Sequence, residues 1–173
     1  MGKKSAGILM YRFKNNQKEF LLVHPGGPFW EKKDLGAWSI PKGEFETEDA
    51  LATAKREFFE ETGVLIEGEL IPLTPQKQKS GKIIYAWAVE GNLDASSIKS
   101  NLFEVEWPPK SGRKQLFPEV DKAEWFSFAT AIQKISQGQI AFINELIEKL
   151  GIDKQDFVLD DDATSHSSQL RLF

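Results

Sequence analysis

The chain has 173 residues, 40% of them hydrophobic, a formal net charge of −4, no Cys and two His. The absence of Cys removes disulfides, thiolate catalysis and Cys zinc sites, and His24 and His166 stand too far apart in sequence to suggest a His-based metal centre or triad. Acid–base chemistry therefore falls to carboxylates, Lys or Tyr, and the acidic balance argues against general nucleic-acid binding.

No stretch approaches the roughly 18 apolar residues of a membrane span, and the N-terminal MGKKSAGILMYRF lacks a signal-peptide cleavage site, so no membrane partner and a cytoplasmic location are expected. Residues 1–150 read as one domain and 151–173 as a tail.

In chain order, Ser5 to Phe13 and Glu19 to His24 are rich in Ile, Leu, Val, Phe and Tyr around the polar turn Lys14-Asn15-Asn16-Gln17, which predicts a β-hairpin. Pro25 to Gly36 reads as a loop. Glu48 to Glu61 is the strongest predicted helix, with Leu51, Ala54 and Phe58 on one stripe. Val64 to Leu73 and Lys82 to Glu90 read as strands around the basic loop Pro75 to Gly81, and Glu104 to Trp107 and Glu124 to Phe128 as two more. Thr130 to Leu150 has apolar residues mostly at helical spacing, and Gly138 is expected to split it into two helices. Strands before, between and after the main helices predict an α/β fold with a mixed sheet.

Within the predicted helix, Glu57, Glu60 and Glu61 fall in an arc of about 100°. Each like-charged pair at this spacing costs roughly 0.2 to 0.5 kcal/mol, and the group lies near the negative end of the helix dipole. A solvated acidic face is one reading of such a cluster. The flanking sequence favours another. Trp38-Ser39-Ile40-Pro41-Lys42-Gly43 precedes the helix as a short strand and turn, and Thr62-Gly63 stops it with a glycine cap. Carboxylate oxygens without neighbouring Cys or His suit Mg²⁺ or Mn²⁺.

The segment resembles the Nudix box, GX5EX7REUXEEXGU with U a bulky aliphatic residue. Arg56 to Val64 matches its second half position by position, with Phe58 at the aliphatic site. Only four residues separate Gly43 from Glu48, where the pattern has five. Counting from Gly43 selects Asp49, and counting back from Arg56 selects Glu48, which is preferred because a helix holds spacing more firmly than a loop. The resemblance implies an α/β/α sandwich, a divalent metal held by Glu57, Glu60, Glu61 and the main-chain carbonyl near Gly43, Arg56 and Glu48 as a structural pair bracing the loop, and a structural role for Gly63. It also implies a general base that is either the first box Glu or an acid in a distant loop, so Glu57 is the first candidate and Glu119 the second. Ala50 and Ala54, before Glu57 on the same side, are expected to leave room for ions.

Phosphate-binding candidates are Lys42 and two basic segments, one with Lys77, Lys79 and Lys82, the other with Lys110, Arg113 and Lys114, where solvated loop charge is the alternative. Trp30 and Trp107, in loop contexts, are candidates for stacking on a base. HPGGPFW and WSIPKGE, within residues 3–150, resemble a bacterial Nudix subgroup described as predicted nucleotide pyrophosphohydrolases, and WSIPKGE is also similar to dinucleoside polyphosphate hydrolases. The resemblance thus implies Mg²⁺-dependent cleavage of a pyrophosphate link in a nucleoside or dinucleoside polyphosphate. The alternatives are a non-catalytic nucleotide-metabolite sensor and a diphosphoinositol polyphosphate hydrolase. In the tail, Gln169 to Phe173 resembles the QLxLF peptide that docks on the bacterial sliding clamp, while packing on this or a neighbouring subunit explains the same apolar residues.

Overall fold

The computed structural model describes residues 3–151; the tail readings, including Gln169 to Phe173, lie outside the described residues. Two strands, β1 (Lys4–Lys14) and β2 (Gln17–Pro25), form the expected antiparallel hairpin, with Lys14 opposite Gln17. Its two-residue turn holds Asn15 and Asn16 at φ 53° and 62°, the doubly left-handed geometry whose twist matches the flanking strands. β1 pairs in parallel with β5 (Ile83–Glu90), which pairs antiparallel with β4 (Leu70–Lys77), while β2 pairs with β8 (Val120–Ser127). The resulting order is β4-β5-β1-β2-β8, with the short β3 (Lys42–Phe45) added to the N-terminal end of β1.

β1 therefore shares one edge between two partners, β2 at its C-terminal half and β3 at its N-terminal half. Between them the chain at Ser39 to Pro41 fills the divergence, where the Pro41 carbonyl accepts from the Ile8 amide at 3.1 Å and Ser39 exchanges main-chain bonds with Val23. This opening delivers Lys42 and Gly43 to the sheet edge beneath a helix.

Three helices cover the sheet. On one face lies α1 (Ala50–Thr62), packed through Ala54 and Phe58 on Ala6, Ile8, Met10, Leu21 and Val23. On the other, α2 (Phe128–Lys134) and α3 (Ile140–Leu150) pack on Leu9, Tyr11, Phe20, Leu22 and Ile84. With both faces buried, β1 reads as a continuous apolar run. Successive side chains go to opposite cores, which makes the molecule an α/β/α sandwich around a mixed sheet. No helix among the described residues is long and apolar enough to cross a membrane.

Four sequence-based expectations are corrected. Val64 to Glu69 is not strand, and β4 instead runs through Pro72 and Pro75 to Lys77. The sheet tolerates these prolines because β4 is an edge strand, with a register shift between Leu73 and Gln76. Lys114–Pro118 is a strand, β7, which pairs with β6 (Leu102–Glu106) as a separate two-stranded sheet. Its exposed Leu116 hides the alternation that would have revealed it. The last predicted strand begins four residues earlier, at Val120 instead of Glu124. Finally, Ala54 has no exposed surface and lies in the core with Ala50 packed beside it, so these small residues bring α1 close to the sheet and leave no space for ions.

Gly138 does separate two helices, within a 3₁₀ turn at Gln137–Gln139. Buried Gln139 there accepts from the Ile40 amide at 3.0 Å and donates to the Ser39 hydroxyl at 3.0 Å. The α2–α3 connection thus pins the segment that leads into Lys42, where the expected short strand is reduced to isolated bridges at Trp38 and Ser39.

Candidate active site

α1 is set by its ends. Asp49 is its N-cap, its carboxylate accepting from the Ala52 amide at 2.9 Å, a contact worth about 1 kcal/mol. Gly63, at φ 78°, closes the helix by donating to the Phe59 carbonyl at 2.7 Å. Between these ends Phe58 and Ala54 face the core, and the helical period then presents Glu57, Glu60 and Glu61 toward the edge where β3 emerges.

Glu61 is the deepest of the three, only 5% exposed. Burial first, then the charges of Glu57 and Glu119, push its carboxyl up to about 8, against the opposing Lys42 ammonium and a hydrogen bond from the Lys42 main chain. Lys42 responds in the other sense: burial and then Lys82 lower it, while Glu61, Glu44 and Glu57 oppose the shift. For this close pair desolvation outweighs mutual attraction, and both members are drawn toward the neutral form. Glu57 is raised by burial, then by Glu60 and Glu119, with Arg56 opposing. Glu119 is raised by burial and by Glu60.

These mutual effects place Glu119, from the junction of β7 and β8, in the same acidic field as the three helix carboxylates. A cleft of about 150 Å³ lies between them, with Lys42, Glu61 and Glu119 as its charged lining and Val23, Pro25, Ile40 and Val120 among its apolar walls. Gly43, next in sequence to Lys42, lies directly against the Glu57 carboxylate.

Arg56 donates to Glu57 Oε2 at 3.0 Å and to Glu60 Oε2 at 3.2 Å. It forms no ion pair with Glu48, whose carboxylate instead accepts from the Glu46 amide at 2.9 Å and steadies the loop before the helix. The expected Arg56–Glu48 brace is thus replaced by two separate contacts. The reason is distance along the helix: Glu57 and Glu60 stand beside Arg56, whereas Glu48 precedes the N-cap.

The other predicted ligand-binding residues stand apart from the cleft lining. Lys110 and Arg113 lie in the turn joining β6 to β7, and Lys114 faces Glu104 across that hairpin at 3.6 Å. Trp107 stands at the end of β6 with its ring against Phe29 at 5.5 Å, and Trp30 is 39% exposed under the Lys33 ammonium. Lys82 is engaged by Glu44 at 3.2 Å.

Ser39 and Ile40 belong to the WSIPKGE stretch and Pro25 to HPGGPFW, both of which the sequence already singles out, but Val23 and Val120 carry no chemical signal and become cleft walls only through strand pairing.

The donor chemistry fits a hard divalent cation. Glu57, Glu61 and Glu119 have proton affinities raised first by burial and then by neighbouring carboxylates, so a cation beside them would offset both effects. Among the described residues no group of three or more His, Cys, Asp or Glu side chains is arranged to hold a metal ion. Mg²⁺ asks for less, since one or two carboxylates, water and substrate phosphate complete its shell.

The family model for the NUDIX domain matches residues 2–146. Comparison with curated proteins returns no match. Among solved structures, the NUDIX domain of Shewanella oneidensis NrtR complexed with ADP ribose is similar at 16% identity and a TM-score of 0.62, over 87% of this chain and 89% of that one. A Caenorhabditis elegans Ap4A hydrolase binary complex is similar at 23% identity and a TM-score of 0.55, over 85% and 98%. The C-terminal domain of mouse MUTYH, in complex with human PCNA, is similar at 14% identity and a TM-score of 0.56, over 87% and 90%. Identities this low establish a shared fold, and the match of the family model over most of the length places this chain in the Nudix hydrolase family.

Proposed function

We propose that the protein hydrolyses a pyrophosphate linkage in a nucleoside or dinucleoside polyphosphate, with Mg²⁺ or Mn²⁺ as cofactor. The observation that carries this reading is the meeting of Glu61, Glu119 and Lys42 around one cleft, with Glu57 and Glu60 close enough to act on these carboxylates by charge and Glu57 packed against the Gly43 backbone. The similarity to an Ap4A hydrolase and to an ADP-ribose complex makes nucleotides with internal pyrophosphate the first substrates to test.

In this reading Glu57, Glu60, Glu61 and the main-chain carbonyl of Gly43 hold the metal. When bound, it neutralises phosphate oxygens and acidifies water. Lys42 adds a donor on the cleft wall. Glu119 accepts the proton of the attacking water, for which its raised proton affinity suits it, and Glu57 is the other candidate. Water oxygen joins phosphorus, the bridging phosphorus–oxygen bond breaks, and the phosphate departs. Trp30, Trp107, Lys110, Arg113 and Lys114 are assigned to substrate contacts beyond the cleft, on the loop after β2 and on the β6–β7 hairpin.

The test is a screen of dinucleoside polyphosphates, nucleoside diphosphate sugars and nucleoside triphosphates with Mg²⁺ or Mn²⁺, followed by chromatography of the products. Metal-dependent cleavage of at least one class is expected. Tight binding without cleavage across the screen would overturn the enzyme in favour of a sensor.

A further inference from the structure

His24 is only 1% exposed and lies at the end of β2, next to the cleft. Its two ring nitrogens face different parts of the chain. Nδ1 meets Asp121 Oδ1 at 2.9 Å, and Nε2 donates to the Lys33 carbonyl at 2.6 Å, since a carbonyl can only accept. The ring also stands edge-on to Trp38 at 5.2 Å. One buried side chain thus ties the loop carrying Phe29 and Trp30 to the segment carrying Glu119.

The Asp121 contact falls at an irregularity. His24 pairs with Lys122, but the next residue, Pro25, pairs with Val120, which leaves Asp121 as the extra residue of a β-bulge. The packing shows the consequence. Val120 and Ala123 both lie in the α1-side core, although residues three apart in a regular strand face opposite ways. Everything before Asp121 is therefore turned over relative to the rest of β8, and Glu119 is carried with it. Main-chain bonds then hold Glu119 in place: its carbonyl accepts from Gly26 at 2.9 Å and its amide donates to Asn101 at 2.8 Å.

We propose that His24 is a positioning residue whose bond to Asp121 holds this bulge, and so aims Glu119 at the carboxylates of α1. The functional consequence rests on the hydrolase reading above; the structural pin does not. Asp121 is the better site for the test because it is partly exposed and its replacement leaves the core intact, whereas truncating His24 opens a buried space.

Asp121→Ala is expected to lower kcat about tenfold or more, as misplacement of a reacting group does. Asp121→Asn, whose amide offers Nδ1 either an acceptor oxygen or a donor nitrogen, should restore most of it. In a Glu119→Gln background Asp121→Ala should change kcat by less than about twofold, because an effect transmitted through Glu119 cannot be lost twice. Equal losses in both backgrounds, or wild-type turnover in Asp121→Ala, would overturn the proposal.

Amide hydrogen exchange supplies a readout that needs no activity. In Asp121→Ala the Gly26 and Glu119 amides should exchange about tenfold faster or more, with the β1–β5 ladder unchanged and Asp121→Asn like wild type. If the wild-type protein cleaves nothing, the hydrolase reading has failed and exchange alone decides: unchanged protection at Gly26 and Glu119 overturns the pin.

Discussion

Gly43 and Glu57 touch so closely that a Cβ built on Gly43 would lie 2.1 Å from Glu57 Oε1. The loop and the carboxylate helix are therefore one unit, and the absence of a side chain at Gly43 is what allows Glu57 to lie against main chain. Gly43→Ala should displace Glu57 and lower kcat more than about tenfold, with a stability loss of roughly 1 to 3 kcal/mol from overpacking. Gly63→Ala is the control. Nothing lies within 4 Å of an added Cβ there, so strain of the left-handed cap should cost about 1 kcal/mol with turnover largely kept. Steady-state kinetics beside thermal melts distinguish the two, and equal activity in both variants would remove the special role of Gly43.

Stability of the metal-free protein should depend on Glu61. Its folded-state carboxyl is raised from 4.5 to about 8, so in the interval between these values the native state binds more protons than the unfolded chain. This contribution is fully present below the unfolded value and is lost as pH rises through about 8. Denaturant titrations in chelator should show stability falling across that window. Glu61→Gln should flatten the slope, and an unchanged slope in the variant would exclude Glu61 as its source.

Divalent metal should raise the melting temperature, because it binds the native carboxylates and relieves their repulsion. The increase should be larger near pH 8 than near pH 5.5, since the ion must displace the proton that Glu61 holds. Glu60→Gln and Glu61→Gln should each reduce this shift and leave less than about a tenth of kcat, a loss of at least ~1.4 kcal/mol. Calcium should compete without supporting turnover. Absence of both a thermal shift and a heat of binding, with a phosphate ligand present, would count against the metal assignment.

Glu119→Gln should lower kcat, because it removes the proton acceptor, whereas Arg113→Ala should mainly raise KM by weakening ground-state phosphate binding from the hairpin turn. Wild-type kinetics in Arg113→Ala would take that turn out of the substrate site. Wild-type kinetics in Glu119→Gln would leave Glu57 as the base.

Much of the site was legible because it is local. Glu57, Glu60 and Glu61 lie on one helix whose glycine stop at Gly63 is itself a sequence signal, and helical periodicity alone places the three carboxylates on one side, whereas the start at Asp49, one residue past the expected Glu48, came only from the structure. The hairpin from β1 to β2 was equally readable, through its two apolar runs and the polar Asn-Asn turn between them. β7 was not, because a two-stranded sheet with exposed Leu116 has no buried face to impose alternation. β4 was displaced because Pro75 reads as a strand terminator unless the strand is known to be an edge.

What the sequence determined by itself was the chemistry on offer: no thiols, clustered carboxylates at helical spacing, and a glycine-bounded motif that resembles a known family. Tertiary structure decided which distant groups join that cluster. Glu119 enters through the phase change at Asp121, Lys42 through the divergence of β2 and β3 from β1, and Arg56 turns to Glu57 and Glu60 instead of Glu48. The physical reason is that helical spacing is encoded within one or two turns. Strand register, a bulge and the burial that raises Glu61 arise only when segments far apart in the chain pack together.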